Sequence, residues 1–342
     1  MAVNRLTKMT LLAENRHHDS LLKSLQRFQS VEIEDIFENQ ENQEWLEAYF
    51  PALEEVDQTK EQLYVQWLHQ IEKSIVFIRD NGSVKQKIKD LPRKSYTLNE
   101  LEARFNEEAL VSLLNQVAQL QKSWDENTKK LTYWQQAEDW ANQWLQYDIS
   151  PSEQLDSAEA VQAKVAAESW EIVETYLMEQ KDVYYELNYS SEKEIKFSFI
   201  ALNERAVTVQ AELITFGVSI EQNPYDESPA TLLPKAKKAL KECIETSKAL
   251  TSEIGYLKGQ VSILQLNEEV LLARLTRERA KEHLVLAKYL VVIRAWVNEE
   301  DQELLMNQLQ AEHDQALFFS FESPTKEQIM ERGIELPDQY TF

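Results

Sequence analysis

The sequence contains few of the residues that break or cross-link a chain. Its 342 residues include 5 glycines, 8 prolines and one cysteine, Cys243. Phosphate-binding loops need several glycines close together, and neither a GxGxxG nor a P-loop string occurs. A single cysteine excludes an internal disulfide and a CxxC site, and it fits a reducing compartment. Scarce glycine with abundant Leu, Glu, Gln, Ala and Lys favours long helices.

Positive charge and long apolar runs are also scarce. Asp and Glu number 59 against 36 Lys and Arg, which gives a formal charge of −23. Nucleic acid and anionic lipid both require clustered basic side chains, so the composition favours protein partners with basic patches. The richest apolar stretch, residues 283–297, is interrupted by Lys288 and Arg294. A membrane helix needs about 20 apolar residues, so we predict no membrane span, and we find no signal-peptide pattern.

No combination of side chains predicts catalysis or metal binding. His17 and His18 are adjacent, and neighbouring side chains on a helix point about 100° apart, without a third ligand at useful spacing. Glu32, Glu34 and Asp35 fit the solvated face of a strand. We therefore predict a non-enzymatic protein with no catalytic, cofactor-binding or metal-binding residue and no bound cofactor.

Each end of the chain has a strand–helix–strand pattern. Residues 8–13 predict a strand, a leucine-rich segment a helix, and VEIEDI (31–36) an alternating strand. Near the C-terminus, YLVVIRAWV predicts a strand, NEEDQELLMNQLQAEH a helix capped by Asn298, and ALFFSFES a strand. Together they would form a ferredoxin-like βαββαβ lobe whose central hairpin is replaced by residues 37–288. Within that insertion, residues 43–79 are predicted to be helical.

A second βαββαβ pattern occupies the middle of the chain. Residues 162–168 predict a strand and SWEIVETYLMEQ a helix. The pattern continues with a strand pair at 182–189 and 194–202, a helix over NERAVTVQAELITF and a strand over GVSIEQNP. This order is also ferredoxin-like.

Two long helical stripes flank this middle lobe. Thr97 and Glu100 form a predicted capping box that opens the first stripe, which continues towards Leu145. The second stripe begins at Ala236 and is a heptad seam, with apolar residues at alternating steps of four and three. Its further positions are Leu240, Cys243, Ser247, Leu250, Ile254, Leu257, Val261, Leu264, Glu268, Leu271 and Leu275. A helix from about residue 235 to 283 would be on the order of 70 Å long, so we expect it to pair antiparallel with the first stripe.

The resulting fold class is α+β, with two ferredoxin-like lobes joined by an antiparallel coiled-coil arm in a dumbbell. We assign residues 1–96 plus 288–325 to a proximal lobe and 151–229 to a distal lobe. Residues 97–150 plus 230–287 form the arm, and 326–342 form a tail.

Polar and basic residues interrupt the stripes. Ser247, Glu268 and Asn127 stand where a coiled coil favours apolar residues, and we expect them to loosen the arm locally. Lys235, Lys237, Lys238 and Lys241 are expected to open the second arm helix, where their charge opposes the helix dipole. They therefore predict either an acidic partner surface or a solvated face whose charge is compensated by nearby glutamates. A second basic cluster is expected at the favourable end of that helix: Arg274, Arg277, Arg279 and Lys281.

Four tryptophans follow helical spacing on the first stripe: Trp124, Trp134, Trp140 and Trp144. We expect most of them to pack the arm or its junction with the distal lobe. Any exposed one would be a candidate partner anchor, because interfaces favour Trp and Tyr.

Two short segments resemble a known family. The similarity is to the cytoplasmic N-terminal half of subunit I of bacterial and archaeal V/A-type rotary ATPases. This subunit is the homologue of eukaryotic V-ATPase subunit a. The two segments that carry it are MAVNRLTKMTLLAENRHHDSLLKSLQRFQSVEIEDI and Ala295-Trp296-Val297-Asn298-Glu299-Glu300-Asp301. The family has a Gly-Trp-Val-Pro-type junction, so Ala295 and Asn298 depart from its pattern. The order of elements agrees from residue 1 to about 325.

The resemblance implies a stator subunit. Both lobes would hold peripheral-stalk heterodimers of the E and G type at the cytoplasmic face of a membrane. A membrane sector would be joined through a C-terminal half, towards which residues 326–342 are expected to lead. Lys235, Lys237, Lys238, Lys241 and Trp296 are the predicted partner-binding residues. Ion specificity and the direction of operation stay open, since the ion path would lie in that half.

The alternative interpretation is a free-standing coiled-coil adaptor or tether that dimerises through its long helices. The stator interpretation instead predicts that this chain is a monomer.

Overall fold

A computed structural model describes residues 6–28, 30–38, 45–46, 48–50, 53, 56–82, 96–147, 149, 155–313 and 317–325. The chain divides into two compact units. Unit 1 comprises Met1–Asp80, Lys85–Asn115 and Leu257–Phe342, and unit 2 comprises Asn81–Val84 and Gln116–Tyr256. The predicted tail at 326–342 lies outside the described residues.

The regular elements confirm the α+β class. The α-helices are α1 His18–Gln26, α2 Thr59–Asn81, α3 Leu98–Arg104, α4 Glu107–Gln143, α5 Trp170–Glu179, α6 Asn203–Thr215, α7 Pro229–Tyr256, α8 Val261–Ala280 and α9 Gln302–Glu312. The strands are β1 Leu6–Glu14, β2 Val31–Ile33, β3 Ala158–Ala166, β4 Tyr184–Ser190, β5 Glu194–Leu202, β6 Ser219–Glu221, β7 Val285–Leu286, β8 Leu290–Asn298 and β9 Phe318–Glu322.

The sheet of unit 1 is built from the two ends of the chain. Its strands are antiparallel in the order β2-β8-β1-β9, and β7 also pairs with β8. β1 pairs with β8 over nine residues, from Leu6 opposite Asn298 to Glu14 opposite Leu290. β2 is shorter than the predicted strand 31–36, because it ends at Ile33.

Strand β8 is a central strand that is buried on both faces, which explains its unbroken apolar sequence. Val291, Ile293, Ala295 and Val297 join the main core of unit 1, where α1 and α9 supply buried leucines. Val292 points to a smaller cluster on the other face. A 3₁₀ turn over Glu299–Asp301 then leads into α9.

The predicted helix cap at Asn298 is wrong. Its side chain accepts no capping hydrogen bond from the backbone. The Asn298 amide instead donates to the Asp301 carboxylate over 3.2 Å. An intervening 3₁₀ turn moves the start of α9 to Gln302, so Asn298 is too far from the first free N–H groups of the α-helix.

Two predictions on the remaining helices of unit 1 have different outcomes. The capping box at α3 is confirmed: Glu100 N donates to Thr97 Oγ1 over 3.3 Å, and Thr97 N donates to Glu100 over 2.8 Å. A continuous helix over 43–79 is wrong, because Leu53 forms a β-bridge with Ala287 and α2 begins only at Thr59.

Unit 2 contains the second sheet, with antiparallel strands in the order β4-β5-β3-β6. Alternate residues of β5, among them Phe197 and Phe199, are buried against α5 and α6. Gly217 ends α6 with a φ of +83°, a left-handed conformation that glycine adopts without strain. Tyr147 Oη donates to Ala160 O on β3 over 3.4 Å.

The predicted continuous helix from 235 to 283 is wrong at both ends and in the middle. Helix α7 already begins at Pro229, a first-turn position that proline favours, and it contains Pro234. It ends at Tyr256, where a 3₁₀ segment Leu257–Gln260 separates it from α8. A second 3₁₀ turn, Lys281–His283, follows α8.

The 3₁₀ segment changes which residues of α8 are buried. Each 3₁₀ residue advances the chain by about 120° instead of 100°, so four residues add about 80°, nearly one helical position. Accordingly Asn267 is buried, whereas the predicted seam residue Glu268 is partly exposed. The heptad pattern assumes one uninterrupted helix. Beyond residue 260 it still marks Leu264, Leu271 and Leu275, which are buried, but it selects Glu268 in place of Asn267.

Candidate partner-binding surface

The predicted binding residues of the second stripe lie on a helix pair within unit 2. Ala137 and Ala141 of α4 pack against Leu232 and Ala236 of α7. Further along, Asn127 of α4 contacts the Cys243–Ser247 turn of α7. Higher residue numbers on α4 thus meet lower numbers on α7, so the two helices run antiparallel here.

A buried polar contact fixes the register of this pair. Asn127 is 7% exposed, and its Nδ2 donates to Cys243 O over 3.1 Å and to Ser247 Oγ over 2.8 Å. We expected both residues to loosen the seam, but the structure shows that they bind each other across it. A buried Asn with a partner at one position favours a single alignment of two helices.

Replacing Asn127 with alanine is expected to lower the free energy of unfolding by about 1–2 kcal/mol, because one buried and one part-buried hydrogen bond are lost. Ser247→Ala should cost less, since Asn127 keeps its bond to Cys243 O. Urea denaturation measures both effects. Asn142→Ala, on an exposed position of the same helix, is the matched control and should stay within about 0.5 kcal/mol. Equal effects of Asn127→Ala and Asn142→Ala would contradict this role.

Most residues of the predicted seam are buried. The buried ones are Ala236, Leu240, Cys243, Leu250, Ile254, Leu257, Leu264, Leu271 and Leu275. The first six of these belong to α7 or to the residue after it, and the last three belong to α8. The other seam residues, Ser247, Val261 and Glu268, are partly exposed.

The four predicted lysines lie in the second to fourth turns of α7, not in its first. The helix begins at Pro229, so the unfavourable dipole interaction is weaker than the sequence implied. Lys235 pairs with Glu227 over 2.6 Å. Lys237, Lys238 and Lys241 are exposed, and among the described residues none of them makes an ion pair.

A groove of about 460 Å³ runs between α4 and α7 beside these lysines. Its lining residues are Gln135, Glu138, Lys237, Leu240, Lys241, Ile244, Glu245 and Lys248. Leu240 is 8% exposed and Ile244 is 46% exposed, so the groove has an apolar centre between charged side chains. We call it the lysine groove. The sequence pointed to the lysines but not to Ile244, since an apolar residue outside the seam is common on a helix.

Trp296 lies in the sheet of unit 1 and is 2% exposed. It stands opposite Lys8 on β1 and Glu32 on β2. The Lys8 ammonium lies 5.7 Å from the ring centroid and also pairs with Glu34 over 3.0 Å. The partner-binding role stays a prediction, and in this structure the ring has almost no surface to offer a partner.

The four tryptophans of the first stripe differ in burial. Trp144 is fully buried, whereas Trp124, Trp134 and Trp140 are half-buried. Trp134 and Trp140 flank the small cluster between α4 and α7, and the Tyr225 ring contacts Trp140 in a tilted geometry with centroids 5.3 Å apart.

The basic cluster near the end of α8 makes ion pairs within unit 1. Arg274 and Arg277 both donate to Glu102 on α3, over 2.6 and 2.5 Å. Lys281 pairs with Asp19 on α1 over 2.6 Å and with Glu278 over 2.7 Å. The sequence shows these charges but not their partners, since Glu102 and Arg274 are 172 residues apart.

The pKa values in this cluster follow from burial and pairing. Burial raises the pKa of the Glu102 carboxyl, but the hydrogen bonds from Arg274 and Arg277 outweigh burial, so the pKa lies below its ordinary value. Burial lowers the pKa of Lys281, but Asp19 and Glu278 outweigh it, and the pKa lies above its ordinary value. These groups are satisfied charges that join α1, α3 and α8.

Residues suited to metal binding do not cluster in the described part of the chain. No group of three or more His, Cys, Asp or Glu side chains is placed there to hold a metal ion. His18 Nδ1 lies 2.7 Å from Asn15 O, and His17 contacts the His313 ring. Among the helices that the structure describes, none combines the length and hydropathy needed to cross a membrane.

Comparison by sequence gives no match: no known protein-family profile and no curated protein matches the chain. Comparison by structure gives 43 matching chains. One of them is the crystal structure of the cytoplasmic N-terminal domain of subunit I, homologue of subunit a, of V-ATPase. The match has a TM-score of 0.51 and 13% sequence identity, and it covers 92% of this chain and 100% of that chain.

At this identity the match establishes the fold alone. It nevertheless extends over nearly all of the chain, and the resemblance that the junction at Ala295–Asp301 indicated is confirmed at this level. The chain therefore has the fold of the cytoplasmic N-terminal domain of V-ATPase subunit I.

Proposed function

We propose that this protein is a stator and scaffold component of a rotary ATPase of the V/A type. The observation that carries the proposal is the fold match to the subunit I domain, which covers 92% of this chain. A match over this share of the chain is longer than any single common motif. Fold alone does not fix function, so the proposal is tested by binding.

The arrangement of strands supports the proposed pair of lobes. In each sheet the four principal strands come from a strand–helix–strand–strand–helix–strand order, with the third strand lying between the second and the first. We propose that both are ferredoxin-like lobes, with the helices α4, α7 and α8 as the arm of a dumbbell. The proposed proximal lobe comprises residues 1–96 plus 288–325, the arm comprises 97–150 plus 230–287, and the distal lobe comprises 151–229.

We propose that each lobe holds one peripheral-stalk heterodimer of the E and G type at the cytoplasmic face of the membrane. Such a role is mechanical and requires no catalytic group. Buried helix-to-helix contacts suit it, because Asn127–Ser247 and the Glu102 ion pairs each hold two helices in one alignment. The link to an ion-translocating membrane sector is part of the same proposal.

Binding to a purified peripheral-stalk heterodimer tests the proposal. We expect a complex in size-exclusion chromatography and saturable binding in calorimetry. The partner should be the complete heterodimer, and both proteins should be shown to be folded by circular dichroism. Lack of binding even at high micromolar concentration would count against the stator function.

Sedimentation velocity separates this function from that of a coiled-coil adaptor. The seam residues Leu240, Cys243, Leu250 and Ile254 are buried within one chain, so we expect a monomer at all concentrations. A concentration-independent dimer would favour the adaptor and contradict the intrachain pairing of α4 with α7.

A further inference from the structure

The lysine groove combines basic side chains with an exposed apolar side chain, and a single partner can contact both. Lys237, Lys241, Ile244 and Lys248 follow each other on α7 at steps of four, three and four, so their side chains lie along one face. The groove therefore presents three cations around one exposed apolar side chain.

The charge of this face is unusual for the chain. The protein carries a formal charge of −23, yet the groove has three lysines against Glu138 and Glu245. Lys237 and Lys241 are one helical turn apart, and like charges at this spacing destabilise a helix slightly. Among the described residues, no ion pair involves Lys237, Lys241 or Lys248. An acidic partner would remove this repulsion.

The apolar centre narrows the class of partner. Ile244 is 46% exposed, and Leu240 forms the floor beside it at 8% exposure. A nucleic acid would meet two glutamates and gain nothing from Ile244. An amphipathic helix with acidic residues around one apolar stripe would pair with the lysines and bury Ile244, and a groove between two helices accepts the side-chain ridge of a third.

We propose that the lysine groove binds an acidic amphipathic helix of a partner protein. The inference rests on the proposed function for the source of that helix, which we take to be the peripheral stalk, and it adds a contact on the arm to those made by the lobes. Its binding chemistry is independent of that source: lysine contacts would give charge complementarity, and Ile244 would give the apolar anchor.

The test compares variants of the full chain in binding the purified stalk heterodimer. Lys237→Glu/Lys241→Glu/Lys248→Glu is expected to weaken binding at least tenfold, and Ile244→Asp by a similar factor. The matched control is Lys122→Glu/Lys129→Glu/Lys130→Glu, which reverses three exposed lysines of α4 outside the groove. The control should bind within twofold of the parent chain. If thermal unfolding shows that the Lys→Glu triple variant or Ile244→Asp does not fold, the corresponding triple Lys→Ala variant or Ile244→Ala is used in its place.

The outcomes distinguish the groove from the stator function. If the parent chain binds the heterodimer and the groove variants bind equally well, the groove proposal is overturned while the stator function stands. If the parent chain does not bind the heterodimer, a fluorescent 21-residue Glu/Leu/Ala amphipathic peptide tests the groove alone, with a scrambled peptide as reference. Preferential binding that the Lys→Glu variant loses supports the groove. Equal binding of both peptides, preferential binding of an RNA oligonucleotide, or groove-dependent self-association overturns it.

Discussion

Replacing Trp144 with alanine is expected to lower the free energy of unfolding by about 3–5 kcal/mol, one of the largest effects of any single substitution in this chain. The Trp144 side chain is fully buried and is among the largest such side chains in the described residues. The Lys196 ammonium lies 5.7 Å from its ring centroid, and the Tyr147 ring lies 6.2 Å away. Alanine would leave a cavity beside Lys196, a 7% exposed charge on β5.

Urea denaturation measures this loss. Trp144→Phe keeps most of the ring volume and should cost clearly less than Trp144→Ala. Trp124→Ala, at a half-buried position of α4, is the matched control and should also cost less. A loss below about 1 kcal/mol for Trp144→Ala would show that the ring is not packed as the structure describes.

Replacing Glu102 with glutamine is expected to cost about 2–3 kcal/mol. This change removes the charge that Arg274 and Arg277 share but keeps the side-chain volume. Breaking a fully buried ion pair costs about 3–5 kcal/mol. Here the side chains of Glu102, Arg274 and Arg277 are 10%, 22% and 14% exposed, so water screens part of the effect. Glu126→Gln, an exposed carboxyl on α4, should stay within about 0.5 kcal/mol.

The effect of Glu102 should depend on pH. The pKa of the Glu102 carboxyl is lower in the folded chain than its ordinary value of 4.5. Its stabilisation is therefore fully present above that value and is lost as the pH falls through the folded pKa. We expect the stability difference between the parent chain and Glu102→Gln to be constant near neutral pH and to shrink below 4.5. A difference that grows on acidification would contradict the ion-pair interpretation.

Local patterns predicted most of the elements because each pattern depends on near neighbours. Residues 194–202 and the apolar run YLVVIRAWV were each predicted as strands, and they form β5 and β8. Thr97 and Glu100, three residues apart, identified the start of helix α3. The lysines of the candidate site were visible as a basic cluster on an acidic chain.

Features that depend on distant residues were not predictable in this way. The Glu102 ion pairs and the partner of Asn127 join residues more than a hundred positions apart. The 3₁₀ segment Leu257–Gln260 interrupts a heptad pattern that continues through it, so periodicity alone suggested one helix. Exposure of Ile244 depends on where α4 lies, which no local pattern records.

The pairing of β1 with β8 has a consequence for how the chain folds during synthesis. The pairing of Leu6 with Asn298 cannot form until residue 298 has been synthesised, so the sheet of unit 1 forms late. At roughly 5–20 residues per second, translation of the intervening segment takes roughly 15–60 s. The strands of unit 2 all lie between residues 158 and 221, so its sheet is complete on the ribosome much earlier. During that interval Met9, Leu11 and Ala13 have no β8 to cover them, and the emerging N-terminal strand is a natural client for a chaperone.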